Sequence, residues 1–422
     1  MDIFVIRGGN RLEGEVKLSG SKNATLPIEV AAAILADSPS IIRNAPDLRD
    51  VRFMGNLLEH LGVKVEYESS TLRVDPRTLS GYKAPYEFVS QMRASIYVLG
   101  PLLARFGRAK VSFPGGCAFG PRPVDLHIKG MEALGAQVRI EHGYIIAEAE
   151  KLKGREMDLL GPHGSSVGAT GNVMMAATLA EGVTVIRGAA REPEIVDLAR
   201  FLNSMGARIE GAGTPVITIY GVRELHGVEH TVIPDRIEAG TFMVAAAITR
   251  GSVRVKGAVS QHVEAVSEKL SEVGISMEWD ENGVKVSWDG TLKAVDVRTS
   301  PFPGFPTDMQ PIITSLLAVI PGISVVTETV YYERFKHASE LNRMGAEIRI
   351  ESNMAIIHGV ERLSGAPVMA SDLRSGAALV VAGLAAEGET TVSRVYHIDR
   401  GYEHLERKLS ALGADISRRS SD

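Results

Sequence analysis

The chain's one cysteine lies in an unusual loop, Pro114-Gly-Gly-Cys-Ala-Phe-Gly-Pro-Arg-Pro-Val-Asp-Leu-His127. Glycine and proline at this density interrupt helix and strand alike. A lone cysteine is commonly a small buried apolar residue. At a Gly-Gly-Cys tip beside Arg122 and His127, Cys117 is also a candidate for proton or group transfer. A thiol with an ordinary pKa of about 8.5 is a protonated acid at neutral pH, and it becomes a nucleophile where cations lower that value. Charged residues stand out at two further kinds of position. Lys22-Asn23, Arg93, Ser165-Ser166, Arg236, Asp308 and Asp372/Arg374 each open an apolar stretch rich in small residues. If those stretches are helices, their first turns offer free N–H groups and the positive end of the dipole, so a cation there runs against the normal bias. A bound anion explains it; solvated charge or an ion pair is the alternative. Arg122, Arg191, Arg334 and Arg400 each follow a short β-branched run. Arginine presents a rigid fork to carboxylate or phosphate, so several of them suit a small substrate with more than one anionic group. For Arg191 a structural role, such as a local pair with Glu192, is the simpler reading.

These positions recur because the sequence repeats. Gly62, Gly135, Gly206, Gly274, Gly345 and Gly413 lie 68 to 73 residues apart. Before each, apolar residues fall at helical spacing, as in Met54, Leu57, Leu58 and Leu61; after it they alternate, as in Val63, Val65 and Tyr67. The glycine then ends a helix at a position that needs positive φ. A second helix, nearly uncharged and apolar all round, is expected at 23–35, 92–104, 167–180, 239–248, 309–319 and 375–386, and a helix of that kind is buried. Each unit reads strand, buried helix, strand, loop, amphipathic helix and two strands. The fold class is therefore α/β, with sheets wrapped around helices. The 9 residues after Gly413 and the two strand patterns before residue 20 together match one inter-helix segment, so the two chain ends are expected to complete one unit. Three units fall to a domain of residues 22–232, which carries the Cys117 loop, and three to a discontinuous domain of 1–21 plus 233–422. A cleft between two such domains is the default ligand site.

Composition narrows the function. The 422 residues are 45% hydrophobic, enough for two or three cored domains. Lys and Arg number 46 against 51 Asp and Glu, a net charge of −5, so no basic excess exists to track a nucleic-acid backbone. One cysteine supports neither an internal disulfide nor a Cys-rich zinc site, and the 11 histidines show no metal-ligand spacing. No basic segment followed by an apolar run opens the chain, and the longest uncharged stretch, 309–327, is broken by Pro311 and Pro321. The expectation is a cytoplasmic protein without a membrane partner.

Gly20-Ser-Lys-Asn23, Met92-Arg-Ala-Ser95, the 114–127 loop, Ser166-Val-Gly-Ala-Thr170, Arg191-Glu-Pro-Glu-Ile-Val-Asp197, Phe305-Pro-Thr-Asp-Met-Gln310, Asp372-Leu-Arg374 and His397-Ile-Asp-Arg-Gly-Tyr402 occur in this order. Across essentially the whole chain this pattern resembles the UDP-N-acetylglucosamine 1-carboxyvinyltransferases, the bacterial enolpyruvyl transferases of the first committed step of peptidoglycan synthesis. The resemblance implies a two-domain inside-out α/β barrel of six βαβαββ-type repeats, three per domain, closing over the substrates. It implies transfer of the enolpyruvyl group of phosphoenolpyruvate to the 3-hydroxyl of UDP-N-acetylglucosamine with release of phosphate, needing neither metal nor cofactor. By the same resemblance Cys117 is the general acid at C3, Asp308 accepts the sugar hydroxyl proton, and Lys22, Arg122 and Arg400 surround the phosphate. Arg334 and Arg374 lie near the carboxylate. Asn23, Arg93, Arg122, Pro123, Val124, Asp125, Leu126, Ser166, Val167, Gly168, Asp308 and Val330 contact the nucleotide sugar. Some members carry Lys where Gly164-Ser165 stands and Phe where Tyr331 stands. Others replace the loop cysteine by Asp, which Cys117 here does not, so inactivation by the epoxide fosfomycin is expected. The rivals are transfer to shikimate 3-phosphate and a non-catalytic paralogue that only binds UDP-sugars.

Overall fold

The computed structural model describes residues 2–113, 124–288 and 290–420. The chain divides into two compact units, one of Met1–Ser19 with Pro234–Asp422 and one of Gly20–Ile233. Each has its own apolar core.

Among the described residues the repeat is realised as six four-stranded sheets with one shared pairing order. In the third, strand Glu156–Asp158 runs parallel to Val183–Arg187, which pairs antiparallel with Val216–Tyr220, which in turn pairs antiparallel with Arg208–Glu210. A parallel neighbour requires a crossover. Helix Val167–Ala177 supplies it, and every residue from Ala169 to Ala177 is buried. Helix Leu373–Ala385 does the same in its unit, whereas helices Lys22–Ile34 and Arg236–Ile248 lead into Ser40–Arg43 and Ser252–Lys256, whose parallel neighbours come from distant parts of the chain. The other two buried stretches open as 3₁₀ turns, Arg93–Val98 before helix Leu99–Phe106 and Thr307–Met309 before helix Gln310–Leu317. Met174 and Met175 are core residues.

Strand Asp2–Arg7 is an inner strand of the sixth sheet, between Glu389–Ser393 and Asp415–Ser420. Strand Glu13–Lys17 instead opens the fourth sheet, parallel to Ser252–Lys256. Strand Glu229–Thr231 opens the first, parallel to Ser40–Arg43. The two ends thus complete the sixth sheet together, and the first of them also supplies the fourth, so that each compact unit closes on itself through a strand distant in the chain. Local patterning marks a strand but not its neighbour.

All six repeat glycines have φ between 88° and 110°. At five of them the residue after the glycine donates its N–H five positions back along the chain, as Val63 does to Leu58 O and Ala207 to Leu202 O. At Gly206 and Gly345 an added Cβ would meet nothing within 4 Å, so it is the backbone conformation and not space that demands glycine.

One core residue contradicts its surroundings. Glu29, in helix Lys22–Ile34, is fully buried, and neither carboxylate oxygen has a partner. Burial pushes its pKa well above the ordinary carboxylate value. A folded-state value above the unfolded one means the folded chain binds the extra proton. The stabilising share is therefore complete below the unfolded value near 4.5 and is lost as pH rises toward the folded one. Glu29→Leu is expected to stabilise the protein at pH 7.5 by about 1–3 kcal/mol, the usual cost of an unsatisfied buried polar group, and to gain less near pH 4.5. Thermal unfolding across that pH range checks both the sign and the slope.

Candidate active site

In the Gly20–Ile233 unit, the expected residues gather at helix starts. Gly20 passes so close to Asn44 that an added Cβ would lie 1.7 Å from its carbonyl oxygen. The Ser21 hydroxyl then caps helix Lys22–Ile34 by accepting from the Ala24 N–H. Lys22, the first residue, places Nζ 3.2 Å from Oδ2 of the buried Asp50. Its charge against the helix dipole is thus balanced by an ion pair, with a bound anion not required; Asn23 follows, half-buried. Arg93 opens its 3₁₀ turn, also half-buried. Val124 is buried just before helix Asp125–Ala133, whose first turn holds Asp125, exposed, and Leu126, half-buried. Ser166 caps Val167–Ala177 through the Ala169 N–H, and Val167 and Gly168 form the first turn. Arg191 donates to Gly213 O at 3.3 Å, a structural role. Cys117, Arg122 and Pro123 lie outside the described residues.

In the other unit, three expected residues meet. Arg334 Nη1 lies 2.7 Å from Asp308 Oδ1, and Arg374 Nε and Nη2 each lie 3.0 Å from Oδ2. The arginine side chains are only 4% and 2% exposed, whereas Asp308 keeps 28%. The carboxylate is therefore the accessible face of a buried cationic fork. Burial opposes the Arg374 charge, but Tyr402, Asp308 and Asp235 outweigh it and raise its pKa. The guanidinium stacks over the Tyr402 ring, 5.2 Å from its centroid. Asp372 caps helix Leu373–Ala385, accepting from the Arg374 and Ser375 N–H groups, which fixes where Arg374 starts. Arg400, half-buried, ends the 3₁₀ turn Val395–Arg400.

Sequence reasoning missed Glu328. It is fully buried and holds three segments at once. Its Oε1 accepts from the Thr299 hydroxyl (2.6 Å) and the N–H groups of Val330 (2.8 Å) and Tyr331 (3.0 Å). Its Oε2 accepts from the Thr307 hydroxyl (2.9 Å), whose oxygen accepts from Arg334. One carboxylate thus shapes the Val330 turn and the residue beside Asp308. The only signal was an acid inside a β-branched run, Thr327-Glu-Thr-Val330. Two histidines also stand out. His127 and His337 are buried and both have pKa values pushed down to about 3, His127 by burial and then Arg93, His337 by burial and Arg334 against the opposing pull of Asp372.

Among the described residues no group of three His, Cys, Asp or Glu side chains could hold a metal ion. No helix among them is long and apolar enough to cross a membrane.

A family model described as EPSP synthase (3-phosphoshikimate 1-carboxyvinyltransferase) matches residues 6–409. The chain is 55% identical over 420 residues to UDP-N-acetylglucosamine 1-carboxyvinyltransferase 2 of Carboxydothermus hydrogenoformans, covering 99% of each. It is 53% identical over 418 residues to the UDP-N-acetylglucosamine 1-carboxyvinyltransferase of Desulfatibacillum aliphaticivorans, covering 99% of this chain and 100% of that one. Among solved structures, the enolpyruvyl transferase NikO from Streptomyces tendae superposes with a TM-score of 0.89 at 27% identity, over 100% of this chain and 99% of that one. An EPSP synthase from Acinetobacter baumannii shares the fold, with a TM-score of 0.75 at 20% identity and full coverage of both chains. These neighbours fix the architecture as the two-domain inside-out α/β fold. With a family match across nearly its whole length and relatives more than half identical from end to end, this chain belongs to the EPSP synthase (3-phosphoshikimate 1-carboxyvinyltransferase) family.

Proposed function

We propose that the protein is the transferase that moves the enolpyruvyl group of phosphoenolpyruvate to the 3-hydroxyl of UDP-N-acetylglucosamine, opening peptidoglycan synthesis in the bacterial cytoplasm. The observation that carries this reading is the accessible Asp308 carboxylate held by the buried Arg334 and Arg374, in a chain more than half identical to carboxyvinyltransferases named for that acceptor. The reaction is an addition followed by an elimination. C3 of the enol gains the Cys117 thiol proton while the sugar oxygen bonds to C2 and gives its own proton to Asp308. The tetrahedral intermediate then loses a proton from C3 and breaks the C2–O bond to phosphate, leaving the enol ether and inorganic phosphate. Lys22, Arg122 and Arg400 hold the phosphate; Arg334 and Arg374 lie near the substrate carboxylate. Asn23, Arg93, Arg122–Leu126, Ser166–Gly168, Asp308 and Val330 receive the nucleotide sugar.

The direct test is phosphate release from phosphoenolpyruvate with each acceptor. Release with UDP-N-acetylglucosamine and none with shikimate 3-phosphate is the expected result. Release with shikimate 3-phosphate alone, or with neither, overturns the proposal.

Glu328 gives a second expectation. Glu328→Ala orphans the Val330 and Tyr331 amides, so KM for UDP-N-acetylglucosamine should rise about tenfold, at roughly 1–3 kcal/mol for unsatisfied buried groups. Glu328→Gln keeps one acceptor oxygen for those amides and should recover most of that loss. Steady-state kinetics with each substrate varied reads the difference.

A further inference from the structure

A chain of hydrogen bonds in the Gly20–Ile233 unit fixes the protonation of one imidazole. Asn172 is fully buried inside helix Val167–Ala177. Its Oδ1 accepts from the Gly100 N–H at 2.7 Å, and its Nδ2 donates to Ile96 O at 2.7 Å. Those two backbone groups leave the amide only one orientation. Gly100 permits the contact, since an added Cβ there would lie 2.5 Å from Asn172 Oδ1. The remaining Nδ2 hydrogen points at His127 Nδ1, 3.0 Å away. That nitrogen must accept, so the ring proton sits on Nε2.

The Nε2 edge faces the start of the same helix. It lies 3.1 Å from where a Cβ on Gly168 would be. His127 is 3% exposed, and Nε2 makes no hydrogen bond among the described residues. Both nitrogens of His337 are sealed without partners, but neither nitrogen of His127 is in that state. The Nε2–H is therefore an unengaged donor, among the described residues, that is not fully sealed from its surroundings. The Val167 and Gly168 N–H groups, unlike those of Ala169 and Thr170, are also unengaged among the described residues. These amides belong to the first turn of an 11-residue helix, at its positive end, and the ring edge lies against that turn at Gly168.

We propose that Asn172 locks His127 as its Nε2–H tautomer, and that this neutral imidazole donates, with the Val167 and Gly168 amides, to the diphosphate of the nucleotide sugar. The proposal rests on the acceptor reading above and adds to it a binding residue, His127, and a positioning residue, Asn172. A neutral donor of fixed tautomer holds the diphosphate with a strength that does not vary with pH. Arg93 is the charged side chain whose field reaches the ring.

Equilibrium binding of UDP-N-acetylglucosamine, whose phosphates do not titrate near neutrality, is the test, with uridine as the phosphate-free probe. His127→Phe should weaken UDP-N-acetylglucosamine about tenfold, the loss of one hydrogen bond to a charged group, and change uridine less than twofold. Gly168→Ala places a methyl against Nε2 and should do the same. Asn172→Asp turns the donor facing Nδ1 into an acceptor. Its affinity should be low at pH 8.5 and recover on acidification as the ring takes a second proton, whereas the wild-type affinity stays flat. If that variant does not fold, the ¹⁵N spectrum of the wild-type imidazole decides: an Nε2–H tautomer whose resonance moves on adding the nucleotide sugar supports the proposal. An Nδ1–H tautomer, or an unmoved resonance, overturns it. A wild type that binds and turns over UDP-N-acetylglucosamine beside variants of unchanged affinity sinks this proposal alone; a wild type that does neither sinks the acceptor reading.

Discussion

Asp308→Ala is expected to lower kcat by about a thousandfold, within the range supplied by a positioned general base. Asp308 is the exposed member of a cluster whose other two members are buried, so it is the part that can meet an incoming hydroxyl. Arg334 takes one oxygen and Arg374 the other, which holds the carboxylate in one orientation. KM for UDP-N-acetylglucosamine should change far less than kcat, because the proton moves only in the transition state. KM for phosphoenolpyruvate should hold or fall, since the two guanidiniums lose their resident carboxylate and remain to receive the substrate's. Removing one partner of a buried pair costs roughly 3–5 kcal/mol, so the variant should also melt earlier. Asp308→Asn keeps the packing and separates the two effects: lost turnover with near-normal melting assigns the proton to Asp308. A nearly normal kcat in either variant removes it from that role.

Cys117→Ala is expected to abolish measurable turnover while leaving UDP-N-acetylglucosamine binding within about twofold, since the acid serves the C3 atom of the other substrate. The same variant should resist the epoxide fosfomycin, which needs a thiolate to open its ring. Mass measurement makes the comparison direct. The wild-type protein incubated with phosphoenolpyruvate and UDP-N-acetylglucosamine, or with fosfomycin, should gain the mass of an adduct, and the variant should not. If nucleotide-sugar binding and melting temperature fall together with activity, the cysteine is a packing residue.

Much of the architecture was legible because its signals are local. A helix that ends on positive φ demands glycine at that residue whatever surrounds it, and six such glycines at nearly equal spacing announce the repeat. An apolar, small-residue helix announces its own burial, as Arg236–Ile248 does. Pairings made across the fold were not legible. Asp308 stands 26 residues from Arg334 and 66 from Arg374, and the resemblance gives the acid one duty and the two arginines another. Nothing in the spacing says that they touch. Glu328 resembled any polar residue at a strand end until its four donors were in place. Asn172 resembled an ordinary position in a buried helix, and its meaning depends on Gly100, Ile96 and His127, which the chain order scatters. Glu29 was hidden for the opposite reason: its helix reads as buried throughout, and only the packed core shows that its carboxylate finds no partner among the described residues there.

The borrowed strands carry a consequence for synthesis. The Gly20–Ile233 unit contains all of its own strands, so it can fold as soon as Ile233 has left the ribosome. Strands Asp2–Arg7 and Glu13–Lys17 are made first, but the sheets they join are complete only once the chain has reached Ser420 and Trp288 respectively. At about 5–20 residues per second, the first strand waits on the order of 20–80 s for its partner Asp415–Ser420. During that interval its apolar residues Phe4 and Ile6, fully buried in the finished protein, have no native sheet to join. The N-terminal strand thus waits longer for its native sheet than any other strand among the described residues, and becomes native together with the C-terminal one.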